Sequence, residues 1–121
     1  MHIEERDVPD YVEPVRPSDL VIGNIYFSLV FIDDDRLIPA LDPVVFIGWN
    51  LEAGDVGQVY FQDARSYREG VVYNDEREDA YANFDTGSGE TIQHIFECEK
   101  ALDELIRCSV RRAKALRKES T

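Results

Sequence analysis

From Glu90 to Lys118 the chain contains neither proline nor glycine. Within that stretch Ile92, Ile95, Phe96, Leu102, Leu105, Ile106, Val110, Ala113 and Leu116 recur at three- and four-residue steps. That spacing predicts one apolar stripe along a helix. Ser88 is placed to cap it, and Glu90 falls in the first turn, where a carboxylate meets the positive end of the helix dipole. About 28 residues at 1.5 Å per residue make a helix roughly 42 Å long. A small domain cannot cover such a length, so part of the stripe is expected to meet a second surface. Ile92, Ile95 and Phe96 are expected to seal the body. Leu105, Ile106, Val110, Ala113 and Leu116 are expected to form a homodimer interface.

The rest of the chain reads as β. Residues 1–19 hold Pro9, Pro14 and Pro17 among charges, an extended arm that Tyr11, Val12 and Val15 could tack onto the body. Asn24 to Ile32 is rich in β-branched and aromatic residues and predicts a strand. Asp33-Asp34-Asp35 predicts the turn after it. Further strands are expected at 36–41, where Pro39 implies an edge or bend, at 44–49, apolar on both faces and so central, and at 58–63. Shorter ones are expected at 71–73 and 81–84. Residues 65–70 read as a polar connection and Thr86-Gly87-Ser88-Gly89 as a flexible break. Strands every eight to twelve residues suggest a small barrel or sandwich. A Gly turn before an aromatic strand, short strands and a late helix together resemble an SH3-like barrel. The expected fold class is therefore α+β, mainly β: a small antiparallel SH3-like barrel of five or six strands with one long C-terminal α-helix. The expected layout is an arm at 1–19, a barrel at 20–86 and a helix at 87–121, all in one domain, as the length of 121 residues suits.

Charge narrows the partners. The formal net charge is −12, which argues against nucleic acid and against an anionic membrane surface, since both demand clustered positive charge. Residues 1–90 carry twenty acids and six bases, whereas residues 91–121 carry five acids and seven bases. Cations at a helix C-terminus complement its dipole, although that effect fades within a turn and leaves room for docking on an acidic neighbouring subunit. The start of the chain lacks the basic-then-apolar pattern of a secretion signal. Cys98 and Cys108 lie on one predicted helix about 15 Å apart, too far for a disulfide. Free thiols suit a reducing compartment, so a cytoplasmic location is expected.

Signals for chemistry are weak. There is no phosphate loop and no dinucleotide fingerprint. His94 and Cys98 have a workable two-ligand helical spacing, yet no third or fourth ligand is nearby, so neither a metal nor a cofactor is expected. Counting from Asp33, the twelfth position is Val44, which rules out a calcium loop of the usual pattern. Ser66 does not sit in a nucleophile elbow. No catalytic residue is assigned and an enzyme is not expected. Tyr60 to Tyr67 is dense in aromatic and hydrogen-bonding groups. Trp49, Tyr60, Asp63, Tyr67 and Tyr73 are the expected lining of an aromatic groove for an extended peptide. The leading expectation is thus a non-enzymatic protein- or peptide-interaction module with an adaptor or assembly role. The alternatives are an acidic, immunity-like inhibitor that covers a basic partner with the turns at 33–35 and 74–79, and a small-ligand protein or enzyme with its site in the barrel mouth.

Overall fold

The computed structural model describes residues 9–90 and 92–119; the first eight residues of the expected arm lie outside them. Five strands form one antiparallel sheet: β1 (Ile25–Phe31), β2 (Pro39–Trp49), β3 (Gln58–Asp63), β4 (Phe84–Ser88) and β5 (Ile95–Phe96). A short helix α1 (Ala64–Arg68) follows β3, and the chain ends in α2 (Cys98–Glu119). The order across the sheet is β4-β3-β2-β1-β5. The protein is therefore α+β and mainly β, with one C-terminal helix. The ladder does not close, so the sheet is an open one.

The sheet nevertheless curls. Its outer strands, β4 and β5, would lie about 19 Å apart if flat, at roughly 4.8 Å per strand. Yet the Nε2 of His94, one residue before β5, lies 2.7 Å from Oδ2 of Asp85 in β4. The core fills this curl. Tyr26, Val44, Phe46, Val59, Phe61 and Ile95 form one cluster with Val15 of the arm. Phe46 and Phe61 meet at 5.4 Å, and Tyr26 stands edge-on to Phe61. On the reverse face Leu29 and Phe96 join Val12 and Ala101, with Phe27 and Leu105 packed against them. The arm thus straps both faces, and the Val15 N–H donates to the Ile95 carbonyl at 2.8 Å. Tyr11 stays exposed.

The structure departs from three of the expectations. The strands expected at 36–41 and 44–49 are one strand, β2, running through Asp42-Pro43. Phe46 N donates to Asn24 O, and antiparallel bonding alternates. Pro43, paired with Phe27, therefore turns its nitrogen away from β1. On its other side β3 reaches only to Val44, so no ladder bond is lost. Second, residues 86–88 are not a flexible break but the last three residues of β4, paired with β3 from Gln58↔Ser88 to Gln62↔Phe84. Residues 71–73 and 81–83 form no strand. Third, α2 begins at Cys98 rather than at Glu90, so Ile92, Ile95 and Phe96 precede it. Ile95 and Phe96 are strand residues, buried on opposite faces. Their apolar pattern fits either period, and pairing with β1 decides between them. The helix is then roughly 33 Å long, at 1.5 Å for each of its 22 residues.

A β-bulge between Phe46 and Gly48 shifts the register of β2 on β3. Gly48, at φ +147, accommodates it. The shift places Trp49 opposite Val59 on the core face, where it packs edge-on to Phe46 at 6.0 Å. Its six-membered ring then comes close to Gly89: a Cβ there would sit 2.9 Å from Trp49 Cζ3. Gly89→Ala is expected to displace the indole and cost about 1–3 kcal/mol. Trp49 is the only tryptophan, so urea unfolding followed by its fluorescence checks both effects. An unchanged midpoint and spectrum would refute this packing.

Candidate functional site

The five expected groove residues do not share one surface. Tyr60 and Tyr73 meet at 5.4 Å on the reverse face, and Phe84 continues the stack from Tyr73 at 5.3 Å. Tyr60 is buried and its hydroxyl donates to Asp55. The Tyr73 hydroxyl donates to Glu52. That hydrogen bond, then partial burial and the nearby carboxylates, push the Tyr73 phenol up to about 12. The Tyr60 phenol is raised for the same reasons, its bond to Asp55 first. Trp49 lies on the opposite face, over Gly89. Tyr67 is exposed on α1, with Gly23 beside its hydroxyl.

Asp63 sits at the hub of a polar network. It caps α1: Oδ2 accepts from Ser66 N at 3.0 Å and Oδ1 from Ser66 Oγ at 2.6 Å. Oδ1 also accepts from Asn83 N at 2.8 Å, which ties the irregular segment before β4 to the end of β3. Gln62, fully buried, donates to Ser66 Oγ and to the Val71 carbonyl, both at 2.9 Å. Burial alone would raise the Asp63 pKa, but the Ser66 and Asn83 donors outweigh it and the net shift is downward. Asp-x-x-Ser is an N-cap signal that marks α1 in the sequence, where a polar connection was expected.

His94 and Cys98 are not on one helical face, because α2 starts at Cys98. His94 faces Asp85 instead. Among the described residues no group of three His, Cys, Asp or Glu side chains is arranged to hold a metal ion. Asp33 anchors the β1–β2 connection by accepting from Leu37 N and Ile38 N. Partial burial raises its pKa, but those two N–H groups and the Arg111 charge outweigh that and lower it.

The connection also sets up a feature that sequence spacing does not reveal. Arg36 stands at φ 60. Left-handed backbone costs an L-residue roughly 1–2 kcal/mol. Asn50 and Asn74 share this conformation, and asparagine tolerates it better than arginine. Arg36 Nη2 lies 3.5 Å from the buried Glu104 carboxylate, which Arg107 Nη1 also contacts at 3.2 Å. Arg111 Nε donates to the Arg36 carbonyl at 3.0 Å. Some seventy residues separate hairpin from helix, so only the folded chain brings these groups together.

Where the helix passes the start of β2, two adjoining hollows of about 350 and 390 Å³ share Pro39, Arg112 and Leu116. Leu105 and Ala113 line one, and Leu37 and Ile38 the other. Of the expected interface residues, Leu105 and Ile106 are half-buried, whereas Val110, Ala113 and Leu116 are exposed.

Asp63→Ala is expected to lose the α1 cap and cost about 1–2 kcal/mol, measured by urea denaturation. The folded-state pKa of Asp63 lies below its unfolded value of about 3.9. Its contribution is therefore fully present above that pH and is lost as pH falls through the folded-state pKa. The stability gap between wild type and Asp63→Asn should shrink on acidification from pH 7. A gap that stays constant would show that the carboxylate charge plays no part.

No described helix is long and apolar enough to cross a membrane. Comparison with protein-family models, curated proteins and solved structures finds no match for the chain.

Proposed function

We propose that the chain is a non-enzymatic protein-interaction module whose first partner is a second copy of itself. One observation carries this reading. The C-terminal half of α2 and the start of β2 leave apolar surface open to solvent, where Ile38 at 51 % and Leu116 at 63 % exposure line one hollow with Pro39. Burying such surface is favourable at roughly 25 cal/mol per Å², and contiguous apolar patches mark interaction sites. In this reading Leu105, Ile106, Val110, Ala113 and Leu116 meet their counterparts across a two-fold axis. The cations of the helix end then face acidic surface of the neighbouring subunit.

An SH3-like description of the sheet belongs to the same proposal. Edges joined by Asp85 and His94 are those of a barrel left open along one seam. Peptide capture by Trp49, Tyr60, Asp63, Tyr67 and Tyr73 as one groove draws no support, because these residues do not share one surface. A cytoplasmic setting is also proposed, in keeping with two free cysteines. The inhibitor alternative draws less support. Asp33 is engaged with backbone N–H groups and Asp75 with Arg77, which takes two of its carboxylates out of play.

Sedimentation velocity on the purified chain tests the proposal. A dimer is expected, and Ala113→Glu, which puts charge into that apolar surface without opposing the helix, should shift it to monomer. A monomer for the wild type at about 100 μM, well above the affinity of a specific dimer, would overturn the self-association. A dimer that survives Ala113→Glu would place the interface elsewhere.

A further inference from the structure

Three guanidinium groups converge on the Glu104 carboxylate, and two of them, those of Arg36 and Arg107, line one cavity, in a chain whose net charge is −12. Arg36 and Arg111 lie over the Phe31 ring, 5.4 and 5.1 Å from its centroid. Arg107 contacts both oxygens of Glu104 at 3.2 Å. The cavity, of about 260 Å³, opens between the arm, the end of the β1–β2 hairpin and α2. Arg36, Arg107, Glu104 and Gln93 supply its polar wall, while Leu29 and Phe96 are among its apolar lining. Convergent polar groups beside apolar surface are a common form of small-ligand site.

Glu104 does not account for all three cations. It is buried, with 6 % of its side chain exposed, and Arg107 alone engages both of its oxygens. Arg36 approaches it only at 3.5 Å with a side chain 49 % exposed, and Arg111 at 4.0 Å. Arg111 Nη2 is buried and makes no hydrogen bond among the described residues. Arg36 also holds a backbone conformation that asparagine or glycine would adopt with less strain. Strain kept at a position where another residue type would relieve it points to a use for the side chain.

We propose that this cavity binds a small organic monoanion, a carboxylate carried on a compact aromatic or branched apolar body. The carboxylate lies in the fork of Arg36, with Arg107 beside it, a geometry guanidinium suits. The apolar body rests against Tyr11 and Pro14, the accessible part of the apolar lining. The charge of the site selects a monoanion. Of the charged side chains that line the cavity, Arg36 and Arg107 are positive and Glu104 is negative, which leaves one unit for the ligand. The proposal does not depend on dimerisation, since the cavity is lined by one chain.

The test is an NMR titration of the full chain with benzoate, benzamide and inorganic phosphate as probes. Saturable benzoate shifts at residues of the arm, hairpin and α2 are expected, with Kd at or below about 1 mM. Benzamide and phosphate should bind at least about tenfold more weakly. Arg36→Asn removes the guanidinium and suits the left-handed backbone, so it should fold and yet weaken benzoate about tenfold or more. Arg36→Gln, which keeps two of the three methylenes, gives the same reading if the asparagine variant misfolds. Lack of saturation by benzoate, or equal affinity in the Arg36 variants, overturns the site. Equal binding of benzamide would reduce it to an apolar hole, and tighter binding of phosphate would overturn the monoanion assignment.

Discussion

Only six residues, 89–94, lead from β4 to β5, and those strands are opposite edges of a five-stranded sheet. Fully extended, such a link reaches little more than the roughly 19 Å that a flat sheet would demand, and its first two residues are spent in a turn. The sheet must therefore bend toward itself. From that bend follow the contact of Asp85 with His94, the packing of Ile92 on Gly87 and the enclosure of Phe46, Phe61 and Ile95. It also delivers the chain to the outer side of β1, where α2 must start. The helix then has one way to go, across the hairpin end of the reverse face, where Ala101, Leu105 and Cys108 meet the body.

The two faces are finished by different means. The core face is apolar, and the bulge at Gly48 brings Trp49 onto it as the last ring. The reverse face near β3 is covered by α1 and the segment after it, both tied down through Asp63, Gln62 and Ser66. Buried polar groups are costly unless fully bonded, and here Gln62 donates twice and Asp63 accepts from both Ser66 and Asn83. The expected groove dissolves for this reason: Tyr60 lies beneath that cover, Asp63 ties it down, and Trp49 belongs to the other side.

Much of the fold was legible as pattern. The strand at 58–63, the first strand to within a residue at each end, the Asp33 turn and the C-terminal half of the helix all follow from local composition. What failed had physical causes. Pro43 reads as a turn until the open side of β2 is known. Gly87 and Ser88 read as a linker because an edge strand this short draws its order from β3, not from its own residues. Ile92, Ile95 and Phe96 satisfy a helical period and a strand period alike, and the absence of proline and glycine permits a helix without requiring one. The cluster of Arg36, Arg107 and Arg111 was legible only in part. The sequence shows the basic helix end, but its meeting with a hairpin tip is a tertiary event.

The two cysteines of α2 stand in opposite situations. Cys98 is exposed at the helix start, while Cys108 is buried with its Sγ 3.6 Å from the carbonyls of Arg36 and Leu37. A thiol reagent therefore meets one at once and reaches the other only when helix and hairpin part. The chain thus carries its own clock for local opening: alkylation of Cys98 marks time zero, and the lag before Cys108 reacts reports how often the helix lifts from the sheet.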